Sequence, residues 1–119
     1  MRRGVVVLLA GVLGCADSTG SNVRPTITVA GLISNGMSQP VPDTALRVRS
    51  YAPSSCGTGT TIQDVESRSN ATGIYRVALV SLAPTYTACI RVTVGSTSRD
   101  TTVVNLPQYG TVQMNVTVP

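Results

Sequence analysis

Hydrophobic and polar residues alternate along most of the chain after residue 24, in short segments separated by turn-forming residues. A period of two residues is typical of β-strands that bury one face. Turns at short, regular intervals are typical of a β-sandwich. The pattern predicts about seven strands, at roughly 26–33, 45–51, 60–66, 74–80, 86–94, 98–105 and 111–118.

The last predicted strand shows the clearest alternation. One of its faces carries only apolar side chains, those of Val112, Met114, Val116 and Val118. The segment 98–105 is polar on both faces, which is typical of an edge strand. The patterns together predict an all-β, Ig-like sandwich with one core over residues 25–119.

The chain opens with a different pattern, the stretch MRRGVVVLLAGVLGC. A basic start, an apolar run and a small residue form the layout of a signal peptide. At about 1.5 Å per residue the run 4–13 spans only about half of a hydrocarbon core of roughly 30 Å, too little for a transmembrane helix. We therefore expect residues 1–14 to be a targeting segment.

The cysteine that ends this stretch has a specific context. Val12, Leu13, Gly14 and Cys15 resemble the bacterial lipobox. The resemblance implies a diacylglycerol on Cys15, cleavage after Gly14 and acylation of the new amino terminus. Ala16 follows the cysteine, which by resemblance to enterobacterial sorting favours the outer membrane over other sites in the cell envelope. The alternative is an ordinary secretory leader with a chance cysteine near its cleavage site.

A polar segment separates this cysteine from the first strand. Residues 16–24, ADSTGSNVR, have no periodicity and are rich in small polar residues, as in a flexible tether. Such a tether has a root-mean-square span of roughly 15 to 18 Å. Two or three acyl chains on Cys15, each worth about 0.8 kcal/mol per buried CH₂, would hold the domain stably beside its membrane.

Composition and charge narrow the function classes. The chain has 18 Val and 16 Thr, which favour strands, and it lacks His and Lys. Seven Arg and five acids follow residue 14, a charge of +2 that is too small for a nucleic-acid interface. Without His, Ser-His-Asp and Cys-His catalysis and imidazole-based zinc sites are impossible. We expect no enzymatic activity, no cofactor and no metal.

One pair of acids leaves a weaker alternative open. Asp64 and Glu66 lie on the same face of the predicted strand 60–66. Two carboxylates at this spacing would bind Ca²⁺ weakly, or would form a solvated face.

Two cysteines remain after Cys15. Cys56 lies in a Gly/Ser-rich loop and Cys89 in the middle of a predicted strand. An exported protein permits them to pair, and closing the intervening loop would stabilise the domain by roughly 3 to 4 kcal/mol in the chain-entropy model. A redox pair, without the Cys-x-x-Cys spacing, and free thiols are the alternatives to this structural disulfide.

The stretch SNATGIYRV contains a turn before a strand. The Asn70 side chain can close an Asx-type turn, and Gly73 can take a positive φ at no steric cost. We interpret the two residues as a structural corner without a binding role.

The run TVAGLISNGMSQPVPDTALRVRSY, followed by SRSNATGIYRV, resembles the carboxypeptidase regulatory-like domain, a transthyretin-like or prealbumin-like sandwich of seven strands. Members of this family carry a Val-x-Gly opening, a Pro-Val-x-x-Ala segment and a Thr-Asp-x-x-Gly-x-Tyr/Phe corner. In this chain the three motifs, the second with one extra residue, match Val29, Gly31, Pro40, Val41, Ala45, Ser69, Asn70, Gly73 and Tyr75. Ser and Asn replace the usual Thr and Asp of the corner. The resemblance covers most of residues 26–118 and implies this fold and an accessory, non-catalytic role.

These features predict a membrane-anchored envelope lipoprotein that contacts a protein partner or supports an assembly. The alternative is a module that binds glycan or anionic lipid headgroups through outward-facing arginines. Near the loops, Tyr51 and Tyr109 are the residues on which a sugar would stack. The candidate anion-binding residues are Arg47, Arg49, Arg76 and Arg91.

Overall fold

The structure, a computed structural model, describes residues 24–119. Over these residues the chain forms strands and turns and no helix. The predicted signal peptide, the predicted lipidation site Cys15 and most of the predicted tether lie outside the described residues. The strands are β1 Thr26–Asn35, β2 Ala45–Tyr51, β3 Gln63–Arg68, β4 Ile74–Val80, β5 Thr85–Val94, β6 Thr97–Pro107, β7 Thr111–Gln113 and β8 Val116–Val118.

The strands form two sheets. In the first sheet β1 is central, with β4 antiparallel to it and the short strands β7 and β8 parallel to it. The second sheet is antiparallel throughout, in the order β3-β2-β5-β6. The two sheets pack as a sandwich, so the predicted all-β sandwich is confirmed.

The core lies between the inner faces of the two sheets. Alternate residues of each long strand are buried there, because a period of two sends every second side chain inward. Aliphatic side chains predominate, joined by one tyrosine and one methionine, and the largest fully buried ones are those of Tyr75, Ile27, Ile33, Leu79, Ile90 and Met114.

Most predicted strands agree with the observed ones to within two residues at each end, and two differ more. β3 begins at Gln63, later than expected, because residues 60–62 belong to the loop that returns from β2. The predicted strand 111–118 is two strands, since the chain kinks at Met114 and Asn115 where it passes Gly31 of β1. The described residues therefore form eight strands.

The kink between β7 and β8 is held by hydrogen bonds from three directions. The Met114 N–H donates to the Ala30 carbonyl at 2.8 Å, and the Tyr75 hydroxyl donates to the Met114 carbonyl at 2.5 Å. Asn115 Oδ1 accepts from the Leu32 N–H at 3.0 Å. The kink thus satisfies the polar backbone groups that the interrupted ladder would leave unpaired.

Burial raises the pKa of the Tyr75 phenol to about 12, an effect that the nearby Arg99 partly opposes. The neutral, hydrogen-bonding form of this residue is therefore the one present in the folded protein at physiological pH.

Candidate functional site

The outer face of the β3-β2-β5-β6 sheet carries a row of charged residues across all four strands. Arg49 is opposite Asp64 on one side and opposite Arg91 on the other, and Arg91 is in turn opposite Asp100. Arg91 makes two hydrogen bonds to Asp100, of 2.7 and 2.9 Å. Arg49 Nε lies 3.5 Å from Asp64 Oδ2. Two like charges in the middle of the row are thus compensated by an acid at each end.

A second row on this face contains the remaining arginine of β2. Arg47 pairs with Asp64 at 3.0 Å and also with Glu66. In these two rows three arginines meet three carboxylates, and Arg68, at the end of β3 on the same face, pairs with Asp43, so the charges sum to zero. Exposed ion pairs of this kind add at most about 1 kcal/mol each to stability. The face therefore has no surplus positive charge for an anion.

Beside the second row lies a shallow groove of about 530 Å³. Both signs of charge line it, from Arg47, Glu66 and Arg68, together with Thr93 and Gly95. It is open to solvent and its charged lining groups already have partners in the sheet or its loops. The groove thus lacks the converging, unpaired polar groups of a ligand site.

Arg76 lies away from these arginines. It is exposed on β4, which belongs to the other sheet, so its outward side chain is on the opposite side of the sandwich. The four candidate anion-binding residues therefore do not form one site.

The Arg91–Asp100 pair is the one ion pair of this face with resolved pKa shifts. The hydrogen bonds from Arg91 lower the pKa of the Asp100 carboxyl below its ordinary value of 3.8, and the same contact raises the pKa of Arg91. A carboxyl group with a lowered folded-state pKa contributes stability above its unfolded pKa and loses it as the pH falls through the folded value.

We expect Asp100→Asn to lose less stability than the wild type between about pH 5 and about pH 2, because only the wild type must protonate a paired carboxylate there. The difference should stay below about 1 kcal/mol, since the pair is partly exposed to screening solvent. Denaturant midpoints measured across this pH range test it. High salt should shrink the difference, and identical acid sensitivity of the two proteins would contradict the assignment.

The loop 52–62 folds over one end of the same sheet face. A disulfide joins Cys56 of this loop to Cys89 of β5, with 5.3 Å between the Cα atoms, so the predicted pairing is confirmed. Gly57 has a φ of 74° and lies against the Arg91 guanidinium, where a Cβ atom would collide. Tyr51, which is opposite Cys89, is 4% exposed and so is not available to stack on a sugar.

The turn before β4 has the hydrogen bonds of an Asx-type corner. Asn70 Oδ1 accepts from the N–H groups of Thr72 and Ile74, at 2.9 and 3.0 Å. Gly73 has a φ of 78°, and a Cβ atom there would lie 2.9 Å from the Ile33 carbonyl oxygen. The corner packs against β1, and the Asn70 side-chain oxygen is used within the turn itself, as expected for a structural element.

The predicted edge strand is β6, which pairs only with β5 in the described part of the chain. Its hairpin with β5 has two loop residues, and Gly95 takes a φ of 60°, as in a type II′ turn. The hydrogen bond that closes this turn joins Val94 and Thr97, which makes them a hydrogen-bonded pair. Farther along β5 and β6, hydrogen-bonded and non-hydrogen-bonded residue pairs alternate. The backbone groups of Ser98, Asp100 and Thr102 therefore point away from β5, toward the open edge.

Two polar contacts of the sandwich edges had no signal in the sequence. Arg99 of β6 donates to the Asn115 carbonyl at 2.6 Å, joining the two sheets beside β8. On the other side, the Gln63 amide bonds both the N–H and the carbonyl of Val80, each at 2.9 Å. Each contact depends on which strands lie at the edges of the two sheets. The alternation of apolar and polar residues along the chain does not specify this strand order.

Within residues 24–119 no three potential metal-ligating side chains come together. Asp64 and Glu66 do share a face, and Arg47 bridges both carboxylates. Nor does that range contain a helix with the length and apolar character needed to cross a membrane.

The chain was compared with known proteins. No family model matches it, and no curated protein matches it. The crystal structure of S.CueP is similar, with a TM-score of 0.50 and 12% identity, covering 80% of this chain and 60% of that chain. The likeness shows the fold alone. The dioxygenase domain of a dioxygenase carbohydrate-binding protein fusion from Streptomyces sp. SirexAA-E gives a TM-score of 0.46 and 14% identity, covering 94% of this chain and 97% of that chain.

Proposed function

We propose that the protein is a non-catalytic lipoprotein of the cell envelope, anchored through Cys15, whose sandwich binds a protein partner along the edge of β6. In this proposal the sandwich is a carboxypeptidase regulatory-like domain. The observation that carries it is the open edge of β6, a strand of 11 residues with a partner strand on one side only among the described residues.

The edge of β6 suits strand addition. The backbone groups of Ser98, Asp100 and Thr102 point outward in a row, and all three residues are exposed. An extended segment of a partner would pair with these groups, a recognition mode that depends mainly on backbone hydrogen bonds. The edge is also protected against indiscriminate pairing, because Asp100 places a charge in the middle of it and Arg99 closes its end against Asn115.

The charged face supports the alternative function less well. Each of its arginines is matched by a carboxylate, and Arg76 lies on the other sheet. An anionic headgroup or an acidic glycan would have to displace the existing ion pairs before it could bind. The protein-partner function is therefore the one we propose.

The anchor is tested by the Cys15→Ser variant. Radiolabelled palmitate should enter the wild-type protein and be absent from the variant, because the serine hydroxyl does not accept the thioether-linked lipid. Cys56→Ser is the matched control and should be labelled like the wild type. Equal labelling of wild type and Cys15→Ser would contradict the proposal.

The binding edge is tested by crosslinking in cells from a photoreactive residue at position 104, next to the proposed row. We expect a protein adduct that Thr102→Pro abolishes, because proline removes an outward N–H that strand addition needs. The same proline should cost the domain little stability, since edge strands tolerate proline where the N–H faces solvent.

Thr102→Val is the matched control, since valine changes the side chain but keeps the N–H, and it should retain the adduct. A second probe at Ala78, which is exposed on the opposite sheet, should give no adduct. An adduct that survives Thr102→Pro would exclude strand addition. Envelope glycan bound in an Arg47- and Arg49-dependent way would favour the alternative function.

A further inference from the structure

The described chain enters the sandwich at one end, and two loops frame this entry point. The Ser81 N–H donates to the Pro25 carbonyl at 2.9 Å, and the Tyr109 N–H donates to the Thr26 carbonyl at 2.7 Å. The loop between β4 and β5 and the loop between β6 and β7 are thereby attached to the first residues of the domain. The segment that precedes Arg24 therefore leads directly to this end.

Large apolar side chains are exposed at this end. Leu82 is 75% exposed, Tyr109 69% and Ile62 63%. A groove of about 520 Å³ lies here, and Arg24, Ile62 and Leu82 are among the residues that line it. We call Arg24, Ile62, Leu82 and Tyr109 the entry surface. Exposed apolar residues gathered beside a groove mark interaction sites more often than single exposed ones do.

The backbone holds these side chains outward. The Gln108 amide donates to the carbonyls of both Ser81 and Ala83, each at 2.9 Å, and so clamps the loop on either side of Leu82. Tyr109 has a φ of 66°, which is strained for a bulky residue and persists only where the surroundings impose it. The apolar side chains are therefore presented by an ordered framework.

The net charge of the described residues at this end is positive. The loops 52–62, 81–84 and 108–110 contain no charged residue, so Arg24 supplies the local charge. The acids of the described chain lie elsewhere: Asp43 pairs with Arg68 next to the β1–β2 connection, and the others pair on the outer sheet face. An apolar patch with a cation and no acid is complementary to a membrane surface with anionic headgroups.

We infer that the entry surface rests on the membrane that holds the anchor, with Leu82 and Ile62 among the acyl chains and Arg24 at the phosphates. The inference rests on the proposed lipidation of Cys15, from which a tether of roughly 15 to 18 Å would deliver this end of the domain first. Tyrosine suits the headgroup level, where one side is apolar and the other wet. Because the tether keeps the local concentration high, a small surface suffices.

The chain has no Trp, so one introduced Trp reports on a single position. Leu82→Trp tests the entry surface, and Met37→Trp, at a site 77% exposed beyond the far end of β1, is its matched control. Each full chain is expressed in bacteria with labelled palmitate and reconstituted into vesicles of phosphatidylethanolamine and phosphatidylglycerol with brominated acyl chains. We expect blue-shifted, quenched emission from position 82 and unshifted, unquenched emission from position 37.

The outcomes separate the two proposals. If palmitate is incorporated but bromine quenches neither tryptophan, or quenches both equally, the proposed membrane contact of the entry surface is overturned. The proposed lipid anchor at Cys15 is then still supported. Absence of label would overturn the anchor, and with it the docking, which depends on the position of the tether. A blue shift at position 82 that bromine does not quench would place the tryptophan against the chain itself or a second copy of it, and would overturn the lipid contact. Replacing Ile62 with Ser should reduce the quenching at position 82.

Discussion

Replacing Gly31 with alanine is expected to destabilise the domain by about 3 kcal/mol or more, at the upper end of what overpacking costs. A Cβ atom at this position would collide with the backbone carbonyl of Met114, whose carbon would lie 2.6 Å away. The carbonyl has little freedom to retreat, because its oxygen accepts the Tyr75 hydroxyl and the Met114 N–H bonds to Ala30. Relief of the clash would therefore break the bonds that hold the kink between β7 and β8.

The measurement is the denaturant midpoint of unfolding, with the slope compared between proteins to show that the same surface is exposed. Gly36→Ala is the matched control, because nothing lies within 4 Å of a Cβ atom there. It should change the stability by no more than about 0.5 kcal/mol. Equal midpoints for the two variants would mean that β7 and β8 can shift away from β1 at little cost.

Loss of the Cys56–Cys89 disulfide is the second large expected effect. The double variant with alanine at both positions should lose roughly 3 to 4 kcal/mol, because the bond restrains the unfolded chain. The loop 52–62 has no buried residue of its own, so the bond also keeps it over Tyr51 and Cys89. We expect Tyr51, which is 4% exposed, to become accessible in the double variant.

Reduction provides the internal control for this prediction. Dithiothreitol should lower the unfolding midpoint of the wild type to near that of the double variant, and should leave the double variant unchanged. Faster hydrogen exchange in β2 near Tyr51 than in β1 would locate the local part of the effect. A wild-type midpoint that does not respond to the reductant would contradict the stabilising role of the bond.

The alternation of apolar and polar residues was enough to predict the strands that bury the same face along their whole length. β2 and β4 occupy the predicted ranges, because strict alternation records which side of each strand meets the core. The kink at Met114 was missed, since Val112, Met114 and Val116 all remain buried on either side of it. The interruption arises from the passage of the chain beside Gly31, a contact between residues far apart in sequence.

The candidate anion-binding arginines also show that local sequence patterns do not predict contacts between distant segments. Alternation correctly placed Arg47 and Arg49 on the outside of their strand. It carried no information on which strands would flank them, and the register brings Asp64, Glu66 and Asp100 into contact with the arginines of that face. Three of the four candidate arginines therefore belong to a balanced ion-pair network in the sheet.

The sequence by itself determined the all-β class, the inward and outward faces of the long strands and the turn at Asn70 and Gly73, and it permitted the pairing of the two remaining cysteines. Each follows from a period of two, from the chemistry of single residues or from a few neighbours along the chain. Only the tertiary structure decided the sheet order, the division of the last predicted strand into β7 and β8, and the gathering of Arg24, Ile62, Leu82 and Tyr109 at one end. These depend on strand pairing between distant segments, whose free energy comes from contacts that no local window of sequence contains.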